Sequence, residues 1–168
     1  AQAAITAESF DTPAKMGNLL IFAPEGTGCT YEGNVVINGM AEKISLTHGK
    51  GFRSPQAFKA KDITYKRNFS MKSGNKINAA GWEAIVLPFD VQSFSNEKQG
   101  ELAPFNSRKK GAKPFWLAQM TTDGFEHTTA MKANKPYIIS LPNSESYEDE
   151  FNISGEVQFH TEDASGVE

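Results

Sequence analysis

Trp82-Glu83-Ala84-Ile85-Val86-Leu87-Pro88-Phe89 is the stretch on which the fold turns. Four apolar residues follow one another and stop at a proline, which has no amide hydrogen to give to a ladder. A run this short, closed by a turn residue, reads as a buried β-strand rather than a helix. Two further segments share its grammar: Leu19-Leu20-Ile21-Phe22-Ala23 before Pro24, and Tyr137-Ile138-Ile139-Ser140-Leu141 before Pro142. Apolar side chains on both faces place all three between layers, as the expected core.

Outward from these segments the dominant signal is period two, the side-chain alternation of a strand. Residues 63–71 set Ile63, Tyr65, Phe69 and Met71, with Arg67, against Thr64, Lys66, Asn68 and Ser70. Residues 151–159 alternate likewise, with Gly155 as a gap or bulge. Asn38-Gly39 predicts a two-residue hairpin turn between Val35-Val36-Ile37 and the segment from Met40 to Leu46. Asp123-Gly124 predicts another, between residues 115–122 and 125–129. Helical periodicity is thin: Ser95-Asn96-Glu97-Lys98 supports one turn at most before Gly100 and Pro104. The expected fold is therefore all-β, an antiparallel β-sandwich with Greek-key or meander hairpins and little or no helix. Residues 1–16, small and polar around Pro13 and starting without Met, read as a flexible tether on a mature product or on a piece of a longer chain. Residues 17–160 read as one sandwich domain with a possible seam near 73–81, and residues 161–168 as a disordered tail.

With 39% hydrophobic and 22% charged residues, a chain of 168 residues has the composition of a folded domain rather than a disordered one. A net charge of −3 argues against tracking nucleic-acid phosphates, which takes a concentrated positive field. The longest basic run, Arg108-Lys109-Lys110 with Lys113 near it, sits among Ser, Gly and Pro and reads as a solvated loop. No apolar run reaches membrane-spanning length, so no transmembrane segment is expected. Cys29 is the single cysteine, so no intrachain disulfide forms, and no His or Lys neighbours it in sequence to activate the thiol.

Catalytic patterns are missing. His48, His127 and His160 are far apart, without the spacing that sets two imidazoles on one metal. Pro24-Glu25-Gly26-Thr27-Gly28 lacks the lysine and following helix of a phosphate loop, and no Gly-x-Ser-x-Gly elbow occurs. Glu145, Glu148, Asp149 and Glu150 form an acidic cluster read as a solvated loop, with an oxygen-ligand calcium site as the alternative. Trp116 and Phe115 are the candidates for an exposed platform that stacks a sugar ring, with core packing as the default. No catalytic, cofactor or metal residue is assigned, and no cofactor is expected.

Gly81-Trp82-Glu83-Ala84-Ile85-Val86-Leu87-Pro88-Phe89-Asp90-Val91 resembles a recurring GW-x-x-I-x-LPFDV segment of secreted and surface proteins of Bacteroidetes. Gly100-Glu101-Leu102-Ala103-Pro104-Phe105, Lys113-Pro114-Phe115-Trp116-Leu117, Ala133-Asn134-Lys135-Pro136-Tyr137-Ile138-Ile139 and residues 147–155 resemble the blocks that follow it. The resemblance covers about residues 18–160 and implies an extracytoplasmic β module, without passing on a single catalytic residue. The expected function is non-enzymatic: protein–protein contact or assembly at the cell surface, or alternatively carbohydrate binding through exposed aromatics. A glycan-active enzyme with a site assembled from distant residues is the weaker alternative.

Overall fold

The computed structural model describes residues 17–26, 33–73 and 81–168. The expected tether and Cys29 lie outside them. Strands hold 49% of the described residues and helix 2%, so the chain is all-β. No described helix is long and apolar enough to cross a membrane. The chain divides into two compact units, Ala1–Lys66 with His160–Glu168, and Arg67–Phe159. Residues 17–160 are thus shared between two units, and the division falls at Lys66 rather than near 73–81.

The first unit is ordered β1 (Ile21–Ala23), β2 (Val35–Ile37), β3 (Met40–Thr47), β4 (Phe58–Asn68), β11 (Glu156–Val167), of which β4 runs to Lys66 and β11 starts at His160 within this unit. The Asn38-Gly39 hairpin forms as predicted. Ile37 pairs with Met40, and both turn residues take positive φ, 49° and 75°. Pairing is mixed rather than purely antiparallel, because β1–β2 and β3–β4 run parallel here, as the strands Gly100–Pro104 and Lys113–Thr121 do in the other unit. The chain from Thr47 to Phe58 is long enough to return before pairing, which a tight hairpin cannot do. Two buried asparagines act as surrogate strand residues along β3. Asn34 exchanges hydrogen bonds with the Ser45 backbone (2.7 and 3.0 Å), and Asn18 does so with Thr47 (2.7 and 3.0 Å).

Residues 161–168 are not a disordered tail, since β11 continues through them to Val167. The buried positions step from Val157, Phe159 and Thr161 to Ala164 and Val167. Positive φ at Asp163 (52°) and Gly166 (67°) shifts the alternation from two residues to three, which hides the strand from a period-two reading.

The second unit is ordered β11-β6-β7-β8-β10-β5, with β9 (Gly124–His127) against β8 (Lys113–Thr121). The remaining strands are β5 (Glu83–Ile85), β6 (Ser93–Asn96), β7 (Gly100–Pro104) and β10 (Tyr137–Ser140), and a 3-10 turn spans Phe105–Ser107. The second hairpin also forms, one residue earlier than predicted: Thr121 pairs with Gly124, so Thr122 and Asp123 make the turn. Phe94, Phe115 and Phe159 meet edge-on at the centre, with ring centroids 5.1 and 5.6 Å apart.

The three proline-stopped runs fare differently. Residues 137–141 are core as expected, because β10 lies between β8 and β5 and Tyr137, Ile139, Ser140 and Leu141 are buried. Residues 82–89 alternate instead: Ile85, Leu87 and Phe89 are buried, and Val86 is 57% exposed. β5 ends its order, and this run has one buried face rather than two. The run at 19–23 ends the other order; Leu19 is exposed and β1 only half-buried. Residues 151–154 are not strand, and Phe151 faces outward while Ile153 is fully buried.

One buried ion pair supports β5. Arg67 donates to Glu83 Oε2 (2.5 Å) and to the Ala84 carbonyl (2.7 Å), with its guanidinium 4.6 Å from the Phe69 ring centre. Burial by itself would raise the Glu83 carboxyl. The Met71 amide and the Arg67 guanidinium outweigh that, holding it below its ordinary value. Gly81, at φ 71°, packs so closely on this segment that a Cβ there would sit 2.5 Å from the Lys72 carbonyl oxygen.

Candidate functional site

Strand β8 opens Lys113-Pro114-Phe115-Trp116, and alternation sends neighbouring side chains to opposite faces. Phe115 is buried against Phe94, whereas Trp116 is half-buried and leans on Tyr147, 6.1 Å between ring centres and tilted by 54°. Together with Phe105, Pro114, Pro142 and Phe151 they line a groove of about 230 Å³. Every lining residue is aromatic or proline. The only polar side-chain atoms are Trp116 Nε1 and Tyr147 Oη.

Two local structures present these rings. Pro104 ends β7 and Phe105 starts the 3-10 turn, which stops at Arg108 in the left-handed region (φ 51°) and leaves Phe105 61% exposed. On the other side, residues 142–153 close on themselves: the Ile153 amide donates to the Pro142 carbonyl (2.8 Å). Inside this loop the Tyr147 amide donates to Ser144 O (3.1 Å), the Phe151 amide to Glu148 O (2.9 Å) and the Asn152 side chain to Ser144 O (3.0 Å). Buried Asn143 anchors it, accepting from the Ser73 amide (3.1 Å) and donating to Met71 O (3.1 Å). The acidic stretch is therefore an internally bonded loop that carries Tyr147 and Phe151 to the groove.

Two hollows adjoin the groove. One, of about 400 Å³, shares Phe105 and Pro114 with the groove and is lined by Arg108 and Lys109. The other, of about 760 Å³, shares Tyr147 and is lined by Asn143, Glu145, Asp149, Asn152 and Lys72. Lys109 pairs with Glu101, Lys72 donates to the Asn143 carbonyl (2.9 Å) and Lys113 to the Asp149 carbonyl (3.3 Å). The side chains of Arg108, Glu145 and Asp149 enter no ion pair among the described residues.

Of the residues singled out from sequence, Trp116 reaches the groove and Phe115 closes its floor. The histidines stay apart: His48 meets Tyr65 Oη (2.9 Å), His160 meets Asp62 (2.9 Å), and His127 lies on exposed β9. No group of three or more His, Cys, Asp or Glu able to hold a metal ion occurs among the described residues, so Glu145, Glu148, Asp149 and Glu150 do not converge on a cation. Phe105, Tyr147 and Phe151 were not legible as site residues. Their one sequence signal is an aromatic placed among turn formers and charges, where no strand partner buries it. No family model, curated protein or solved structure matches the chain.

Proposed function

We propose that this chain is a non-enzymatic β module of an exported or cell-surface bacterial protein, and that it makes protein–protein contact through the groove of Phe105, Trp116, Tyr147 and Phe151. The observation that carries this reading is the lining itself, aromatic and proline throughout. Rings spaced along a shallow apolar channel suit an extended peptide in polyproline II conformation, which enters with little entropy left to lose. A sugar ring needs hydrogen-bonding side chains beside its stacking face. The extracytoplasmic setting rests on the resemblance of the Gly81–Val91 segment to Bacteroidetes surface proteins.

Carbohydrate binding is the second reading, favoured by one feature: Tyr147 also borders the hollow that holds Asn143, Asn152, Glu145 and Asp149. The groove lining contains no carboxylate, histidine or thiol, which supports binding over bond-making chemistry.

A displayed library of random peptides and a glycan array, each probed with wild type and Trp116→Ala, separates these readings. Trp116-dependent enrichment of proline- or aromatic-bearing peptides is the expected result. Trp116-dependent signal on glycans alone would replace the peptide reading with the sugar one. Binding indifferent to Trp116 on both would overturn the assignment of the groove.

A further inference from the structure

Strands β5, β10, β8 and β9 lie side by side in that order, and the two ends of the row differ. At β5 the Ala84 carbonyl accepts a hydrogen bond from Arg67 (2.7 Å), and the Glu83 carboxylate accepts one from the Met71 amide (2.8 Å). Residues 67–71 thus occupy that end.

Nothing equivalent occupies β9 among the described residues. β9 pairs with β8 alone, and Gly124, Phe125, Glu126 and His127 are all exposed. The Thr128 amide donates to the Leu117 carbonyl (3.0 Å), so alternation along the register directs the backbone groups of Gly124, Glu126 and Thr128 to β8. The amides and carbonyls of Phe125 and His127 therefore point away from β8, and they meet no hydrogen-bond partner among the described residues. Such an edge is a template for an added strand.

The side chains select which strand. Phe125 lies opposite Met120, and the two are 55% and 62% exposed on one face. His127 shares that face, its ring 6.2 Å from that of Trp82. Glu126, between them, points to the other face and enters no ion pair among the described residues. Lys135 precedes β10, which β8 separates from β9. A second copy of the chain fits poorly. The antiparallel register in which two copies would satisfy all four backbone groups sets Glu126 against its own image, so like charges meet.

We infer that β9 is the docking edge for an extended segment of another protein, added antiparallel with a basic residue opposite Glu126 and apolar residues opposite Phe125 and His127. The outward backbone groups supply the hydrogen bonds, the basic residue meets the carboxylate, and its neighbours extend the apolar face of Met120 and Phe125. This edge shares no residue with the aromatic groove and does not depend on the reading of it.

The test uses fluorescein-labelled synthetic peptides of seven residues, valine at the odd positions, threonine at the second and sixth, and lysine, threonine or glutamate at the centre. Anisotropy titrations at low salt should rank lysine above threonine above glutamate for wild type, with roughly fivefold between the extremes, the scale of a cross-strand charge pair. Glu126→Lys should reverse the ranking. N-methylation of the two valines beside the centre removes donors that face β9 and should abolish binding, whereas N-methylation of the central residue should leave it intact. His127→Pro removes one outward amide without removing a bond to β8, and should weaken binding roughly tenfold at an unchanged urea midpoint. Equal affinity for the three peptides in both wild type and Glu126→Lys would overturn the inference, as would failure of all three to bind. Binding indifferent to His127→Pro and to both N-methylations would overturn it too. Self-association of the chain that His127→Pro abolishes would also do so, by giving the edge to a second copy.

Discussion

Phe115 and Trp116 are neighbours on β8, and the difference between them separates scaffold from site. Phe115 is 2% exposed, with Phe94 against its ring, Phe94 in turn against Phe159, and β7 paired alongside at Pro104. Trp116, one residue on, meets the single ring of Tyr147 on a loop and keeps an open side. The residue types barely differ in hydrophobicity. The cover differs: strands bury one, and the other is left for something that is not part of the described chain. An aromatic pair with room beside it gives up little stability and retains a surface that water solvates poorly.

The largest expected effect falls on the buried side. Phe115→Ala opens a cavity among three rings and should lower unfolding free energy by about 3–5 kcal/mol, read as a urea midpoint shift. A loss no larger than that of the outward neighbour would break the comparison.

Next comes the ion pair beneath β5. Glu83→Gln leaves the Arg67 cation buried and half-satisfied, at a cost of about 3 kcal/mol near neutral pH. The folded Glu83 carboxyl lies below its ordinary value, so the unfolded chain takes up a proton first as the pH falls. The contribution of Glu83 is therefore complete above the ordinary carboxylate range and disappears as the pH falls through its depressed folded value. Urea midpoints of wild type and Glu83→Gln should converge on acidification. A gap that stays constant would show that the carboxylate charge is not what Arg67 requires.

The smallest stability effect is expected at the site. Trp116→Ala should cost about 1–2 kcal/mol, the value of one half-buried ring pair, while removing ligand binding. A loss equal to that of Phe115→Ala would recast Trp116 as core and remove the groove as a site.

Much of the fold was legible, for identifiable reasons. Asn38-Gly39 announced its hairpin because few dipeptides accept two positive φ values, and Pro24, Pro88 and Pro142 each fall just beyond a strand or its apolar run. The misreadings have causes as well. Residues 82–89 and 19–23 looked like central strands because composition shows apolar content but not which strands end a sheet. The last strand was hidden by the left-handed residues Asp163 and Gly166, and the outward Phe151 by an alternation that continues past the strand's true start at Glu156.

The site was legible only at Trp116. Phe105, Tyr147 and Phe151 lie 11, 31 and 35 residues from Trp116 in sequence, within stretches whose composition says loop. What brings them together is the Asn143 anchor on residues 71–73 and the left-handed stop at Arg108, neither of which is periodic. Local order is set by the chain's own pattern, since alternation, turn chemistry and proline act over a few residues. Thus the sequence by itself determined that this is an all-β chain with its hairpins and a buried aromatic core. Which strands became edges, and which aromatics were left uncovered at one groove, only the tertiary structure decided, because cover depends on which distant segments arrive.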